Sequence, residues 1–499
     1  MRPDAGKGIP RRSLPAVAVA STVGLLGACR PRARVHLVED PPASTVLPDR
    51  DAARTALALS TALFTGADVF TLATRRSLEE LAPMSAKHGI PLLIGTGRGV
   101  RDELDRLGVS TIVTAKGTDL DAAGADRTVI EVDPAAKDPA QDLPEVVGRG
   151  DEVPMTLLVD PHRTGAAQTA ARALAEVAGG AVLEVPHGEP RASSDSVSAV
   201  TEAAGKDPSR GMVALGASFG PADRWTDVLH MVQTAPELPG GGQSVFPGRR
   251  MIAAYGSPGV PALGILGEQG LKESIQRAKQ LAKDYAPLMK EPVVPAFELI
   301  TTLASSQPGQ DGDYSSELAP DAIREWIDAA GKAGIYVVLD LQPGRTDFLT
   351  QARRYESLLT EPHVGLALDS EWRLKPGQKH LEQIGSVGAE EINETASWLS
   401  DLTARHELPQ KLLILHQFSR SMITDRADVD TSHPELAITV HADGHGTPEL
   451  KRETWNALRR DLPAGMFLAW KNFYDEDSPM LTPEQTFAVR PRPWFVSYQ

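Results

Sequence analysis

Short apolar runs and longer amphipathic stretches alternate along almost the whole of this chain. From residue 53 to 235 the runs ADVFTLAT (67–74), IPLLIG (90–95), VSTIVTA (109–115), RTVIEVD (127–133), MTLLVDP (155–161), AVLEVP (181–186) and GMVALGAS (211–218) read as strands. SLEELAPMSAKHG (77–89) and VRDELDRLG (100–108) place apolar residues at helical spacing and close on Gly89 and Gly108. Strands separated by helices predict an α/β domain with a parallel sheet over 53–235. From residue 251 the alternation resumes and counts to eight strands. These are MIAAYG (251–256), VVPAFELIT (293–301), GIYVVLDL (334–341), VGLALD (364–369), KLLILHQF (411–418), AITVHAD (437–443), GMFLAWKNF (465–473) and WFVSYQ (494–499). Helical patterns lie between them, one of them with Pro320 near its start and Gly334 just past its end. Eight such units in about 250 residues predict a (β/α)8 barrel of the TIM type over 251–499, with an open doubly wound sheet as the alternative. The eighth strand is followed by no helix, so the first domain is expected to cover that side.

Two segments break the rhythm. Residues 30–52 hold four prolines, mixed charge and no apolar period, and read as a flexible tether. Residues 236–250, PELPGGGQSVFPGRR, set three glycines between prolines and read as a linker. GTGRGV (95–100) follows a strand and opens a helix. Val100 stands where a dinucleotide fingerprint needs Gly or Ala, so it reads as an ordinary strand-to-helix turn.

Composition adds a compartment. Residues 1–29 carry Arg2, Lys7, Arg11 and Arg12, then an apolar run too short to span a bilayer, and end on Cys29, the only cysteine. That is a signal-peptide pattern, and it excludes an internal disulfide. The chain is acidic, with net charge −15 and pI near 5.3, which argues against a nucleic-acid partner. No phosphate loop, zinc-cysteine pattern or Ser/His/Asp order is present, so no cofactor and no metal is expected.

The chemistry gathers at the strand ends. Each barrel strand is apolar at its start and polar at its finish: Tyr255; Glu298; Asp340 and Gln342; Asp369 and Glu371; His416 and Gln417; His441 and Asp443; Lys471 and Asn472; Ser497, Tyr498 and Gln499. In a (β/α)8 barrel those ends form the active-site face. In VGLALD, small residues alternate with leucines, which aims Asp369 inward with the small ones and places Glu371 beside it. Convergent acids repel, and repulsion raises a carboxyl toward the range a general acid needs. Glu371, Asp369, Asp340 and Glu298 are therefore the catalytic candidates. Tyr255, His416, Gln417, Trp470, Lys471, Asn472 and Tyr498 are the substrate-binding candidates, and Trp372, Phe473 and Tyr474 could stack on sugar rings. A second reading uses His441, Asp443 and His445 with His416 to bind a divalent metal and activate water.

Three resemblances follow. Leu26-Gly27-Ala28-Cys29 resembles the lipobox of bacterial lipoproteins, which implies lipidation of Cys29 and a lipid anchor on the extracellular face of the membrane. Residues 54–117, from Arg54 through Gly66-Ala67-Asp68-Val69 to Lys116-Gly117, resemble one type 2 cell-wall-binding repeat, which implies a surface protein that holds wall polysaccharide. Asp369-Ser370-Glu371 at the end of strand four resembles chitinase-like and muramidase-like barrel glycosidases. That implies Glu371 as proton donor and Asp369 as the residue orienting the substrate's acetamido group, with glycan as the partner. A barrel that binds wall glycan without cleaving it is the alternative.

Overall fold

The computed structural model describes residues 31–148 and 152–499. The expected leader and the expected lipidation site, Cys29, lie outside the described residues.

The C-terminal half is a closed barrel of eight parallel strands. They are β1 (Arg250–Gly256), β2 (Val293–Ala304), β3 (Tyr336–Leu341), β4 (Val364–Asp369), β5 (Lys411–Gln417), β6 (Leu436–Ala442), β7 (Phe467–Asn472) and β8 (Phe495–Tyr498). Each pairs with the next, and β1 pairs with both β2 and β8, which closes the ring. Period two sorts every strand. In β1, Met251, Ala253 and Tyr255 face in while Ile252 and Ala254 join the outer core against the helices. Gly365 marks where the interior is tightest: a Cβ there would stand 2.6 Å from the Leu412 carbonyl and 2.8 Å from the Tyr336 hydroxyl. The helices are cut to fit this surface. Leu271–Tyr285 buries Ser274, Ala278, Ala282 and Tyr285, spaced to form one face. Pro320–Ala333 opens on proline and ends on Gly334 at φ 72°, a left-handed cap that only glycine adopts freely.

The side of β8 is covered from within the barrel domain. Val496 and Tyr498 share the outer core with Tyr285 and with Phe487 of the helix Pro483–Ala488, which precedes β8. The first domain meets the barrel at its amino-terminal rim, where Arg191 donates to the Pro434 carbonyl at 2.6 Å and Arg224 pairs with Glu435 at 3.4 Å, just ahead of β6.

Residues 236–250 are not a loose linker. Leu238, Val245 and Phe246 insert into the N-terminal end of the barrel beneath Met251, Val294, Tyr336 and Leu412. The Phe246 ring lies 5.2 Å from Phe467 and 5.5 Å from Trp494. The three glycines let this happen. All have positive φ, and a Cβ on Gly242 would meet the Arg191 carbonyl at 2.6 Å. The Arg249 guanidinium clamps the turn through the Pro239 and Gly241 carbonyls. An apolar barrel interior needs a stopper, and this segment supplies it.

The N-terminal half holds two four-stranded parallel sheets and a third, mixed one. The first runs Leu92–Ile94, Val69–Ala73, Thr111–Ala115, Thr128–Val132; the second runs Ala181–Glu184, Thr156–Val159, Met212–Leu215, Thr45–Leu47. Helices Ala52–Leu63, Leu78–His88 and Ala166–Val177 share one apolar cluster with both. The expected tether is part of this fold. Arg32–Leu37 pairs with Phe64–Ala67 and Glu145–Val147, and Thr45–Leu47 forms the edge of the second sheet. Ala33 and Val35 alternate with charged residues and are buried, a two-residue period masked by the flanking arginines.

Candidate active site at the carboxyl end of the barrel

Above the apolar interior, the strand phases bring a layer of polar side chains to the axis. Glu298, Asp340, His416, His441 and Ser497 are all fully buried there. His416 lies at the centre. Its Nδ1 is 2.8 Å from Asp443 Oδ2 and its Nε2 is 2.9 Å from Glu298 Oε1, with Asp340 Oδ1 at 3.9 Å. Burial opposes a charge on this ring, but Glu298, Asp340 and the bond to Asp443 outweigh it and hold its pKa well above the ordinary histidine value. The carboxyl of Glu298 is pushed up by burial and pulled further down by His441 and His416, so it stays ionised. Asp340 goes the other way: burial and the neighbouring Glu298 push it up to about 6. Its Oδ2 accepts from the Tyr255 hydroxyl at 2.9 Å.

Over this floor opens a cavity of about 520 Å³. Tyr255, Asp369, Glu371, Asp443 and Lys471 supply its polar wall, and Trp372 and Phe473 its aromatic faces. Lys471 Nζ sits 3.6 Å above the Tyr255 ring centre. Glu371 stands on the single turn Ser370–Trp372 that follows β4. The turn is held from both sides. Asp369 Oδ1 accepts from the Glu371 amide at 3.1 Å, and the Gly385 amide donates to the Glu371 carbonyl at 2.7 Å. Gly385 is required there, since a Cβ would lie 2.4 Å from that carbonyl. Burial, and then the charge of Asp443, raise the Glu371 carboxyl to about 7. Asp369 is also pushed well up, first by burial. Asp443 is pushed up by burial but more strongly down by His416. The cavity wall therefore holds two carboxyls biased to keep a proton, Glu371 and Asp369, and one, Asp443, biased to lose it, the asymmetry that general acid–base chemistry uses.

The sequence-based candidates separate into three groups. Tyr255, Asp369, Glu371 and Lys471 line the cavity. Glu298, Asp340 and His416 lie beneath it, with no side-chain surface exposed. Gln417, Trp470, Asn472 and Tyr498 face the helices and do not reach the cavity. Gln417 accepts from Arg426 at 2.8 Å, Trp470 packs on Trp455 and donates to Asn472 at 2.8 Å, Asn472 donates to Thr486, and Tyr498 bonds the Tyr285 hydroxyl at 2.6 Å. Each is one residue out of phase with an inward neighbour, and in strands apolar on both faces only packing sets the phase. Tyr474 is exposed. His441 and Asp443 both turn inward, but His441 is buried in the floor while Asp443 reaches the wall, and His445 sits on the rim. Two polar cavity residues escaped the strand-end reading: Glu453 and Thr454, on the helix Pro448–Leu458 after β6. Nothing in their helical pattern separates them from solvated positions.

The fold and site define a class: a (β/α)8 barrel with an acidic cavity at the carboxyl ends of its strands. No family model matches the chain, and no curated protein does. Among solved structures, a xylanase and alpha-amylase inhibitor protein from Scadoxus multiflorus aligns with 12% identity and a TM-score of 0.31, over 50% of this chain and 92% of that one. A likeness of that size does not bear on the site. No helix among the described residues is long and apolar enough to cross a membrane.

Proposed function

We propose that the barrel hydrolyses glycan at the cavity, with Glu371 as the proton donor to the leaving oxygen. The observation that carries this reading is the Glu371 carboxyl on the cavity wall, raised to about 7 while Asp443 in the same wall is held ionised. A proton donor must hold its proton at working pH and release it in the transition state. Asp443 would stabilise the developing positive charge on the sugar ring or activate water against it. Trp372 and Phe473 offer flat apolar faces for a ring to stack on, and Lys471 offers a hydrogen-bond donor. Asp369 has a supporting part, because one of its oxygens already caps the turn that carries Glu371.

The setting we propose is the cell envelope. The lipobox-like Leu26-Gly27-Ala28-Cys29 supports a lipid anchor, and the likeness of residues 54–117 to a wall-binding repeat supports wall polysaccharide as the polymer held nearby. Turnover of chitin-type and peptidoglycan oligosaccharides by wild type and Glu371→Gln tests the proposal. Wild type should cleave one of these classes, and the variant should lose about 10²- to 10⁴-fold in turnover while still binding. Equal binding by both proteins with no cleavage by either would make the barrel a glycan-binding protein instead.

A further inference from the structure

The floor under the cavity has a property the hydrolase reading does not use. Three of its polar atoms, Glu298 Oε2, Asp340 Oδ1 and His441 Nδ1, are buried without a hydrogen-bond partner among the described residues. Orphaned buried polar atoms are costly, and three of them around one point need a reason. The nearest approach of His441 Nδ1 to Glu298 Oε1 is 3.7 Å, too long for a hydrogen bond. His416 Nε2 stands 2.9 Å from the same oxygen and 3.9 Å from Asp340 Oδ1.

We propose that Glu298, His416 and His441 form a binding site for one divalent transition ion, with Zn²⁺ the reference case. Two imidazole nitrogens with carboxylate oxygens are a donor set suited to Zn²⁺ and its borderline neighbours, not to Ca²⁺ or Mg²⁺. Ligands about 2.0–2.2 Å from a shared ion stand roughly 3–3.5 Å apart; Glu298 Oε1 lies 2.9 Å from His416 Nε2 and 3.7 Å from His441 Nδ1, and the three residues' donor atoms all lie within 4.8 Å of one another.

The surrounding groups fit as well. A ligating imidazole normally has its other nitrogen fixed by a hydrogen bond, which sets the tautomer and aims the ring. His416 has Asp443 on Nδ1 at 2.8 Å, and His441 has the Ser497 hydroxyl at 3.2 Å from Nε2. The remaining positions both turn to Glu298: His416 Nε2 bonds its Oε1 at 2.9 Å, and His441 Nδ1 stands 3.7 Å from the same oxygen. Asp340 has its second oxygen held by Tyr255. A divalent cation would also balance the carboxyls gathered there, Glu298, Asp340 and Asp443, all of them buried. The second cluster around His416, with Asp369 and Asp443, offers a single histidine nitrogen. Asp311, Asp313 and Glu317 form a third, more exposed group of carboxylates alone, and Asp313 is already engaged by Ser315 and Thr346.

The test uses the untagged full chain, stripped with a chelator and titrated with Zn²⁺ and with Co²⁺ as a spectroscopic stand-in. Calorimetry should give one tight equivalent, and Co²⁺ should show visible bands of a nitrogen- and oxygen-ligated ion. His441→Gln should weaken binding by about 100-fold or more, and Ser497→Ala, which removes only the bond to the far nitrogen, by about tenfold. Asp311→Asn and Glu371→Gln should bind as wild type does. Should His441→Gln fail to fold, the wild-type stoichiometry and Ser497→Ala decide alone. A folded wild type that takes up no equivalent overturns the site, as does an ion kept at full affinity in folded His441→Gln or lost in Asp311→Asn.

Discussion

Glu371→Gln should make the barrel more stable, and only above a definite pH. Burial on the cavity wall raises the carboxyl from its ordinary 4.5 to about 7. Between those values the folded protein keeps a proton that the unfolded chain has released. Stability therefore falls as pH rises through this window and stays reduced above it. Each pH unit of the window contributes about 1.4 kcal/mol, so the full loss is about 3 kcal/mol. Water reaching the open side of the carboxyl reduces this to about 2 kcal/mol. Glutamine has the same shape and is neutral throughout, so it avoids the loss. The variant should match wild type at pH 4.5 and exceed it by about 2 kcal/mol at pH 8, while turnover falls. The assay is urea denaturation followed by tryptophan fluorescence at half-unit steps from pH 4.5 to 8. Stability curves that run parallel across the window would refute the reasoning, because the carboxyl would then be ionising as it does in water.

Phe246→Ala removes the ring that stops the N-terminal end of the barrel and should cost about 3–5 kcal/mol, read as a lower urea midpoint. Gly365→Ala forces a methyl against the Leu412 carbonyl and the Tyr336 hydroxyl, and should destabilise the barrel by at least about 2 kcal/mol on the same assay. Lys411 is buried against the Glu361 and Val364 carbonyls, and burial lowers its pKa from 10.5 to about 7. The unfolded chain holds that proton more tightly, so wild-type stability should gain from a rise in pH between about 7 and 10. Lys411→Met should flatten that gain in denaturation curves at the two ends. Trp470→Phe should lower the melting temperature yet leave glycan affinity within about twofold by calorimetry, since the ring packs on Trp455 outside the cavity.

Much of this molecule is written in local pattern. Eight apolar runs, spaced by amphipathic helices closed on residues such as Gly334, determine eight parallel strands, because strands so separated cannot pair as hairpins. Within β4 the alternation of leucine with Gly365 and Ala367 determines even the inward phase of Asp369, since only small residues fit the crowded axis. Other features have no such signal. FLAWKN in β7 is apolar on both faces, so period two alone does not choose between Trp470 and Lys471 as the inward residue. The register to β6 and β8 chooses. Proline and glycine mark residues 236–250 as a break, but whether such a break is solvated or plugs the barrel depends on the hole beneath it. The strand Arg32–Leu37 exists because two other segments offer it unpaired edges. The sequence by itself determined which residues could do chemistry and at which end of each strand they lie. Only the closed ring decided which of them meet. Cα register sets His416 opposite His441, while Glu298, 118 residues away from His416 along the chain, reaches both rings across the barrel axis. No local interaction specifies that encounter, so it has no trace in local sequence.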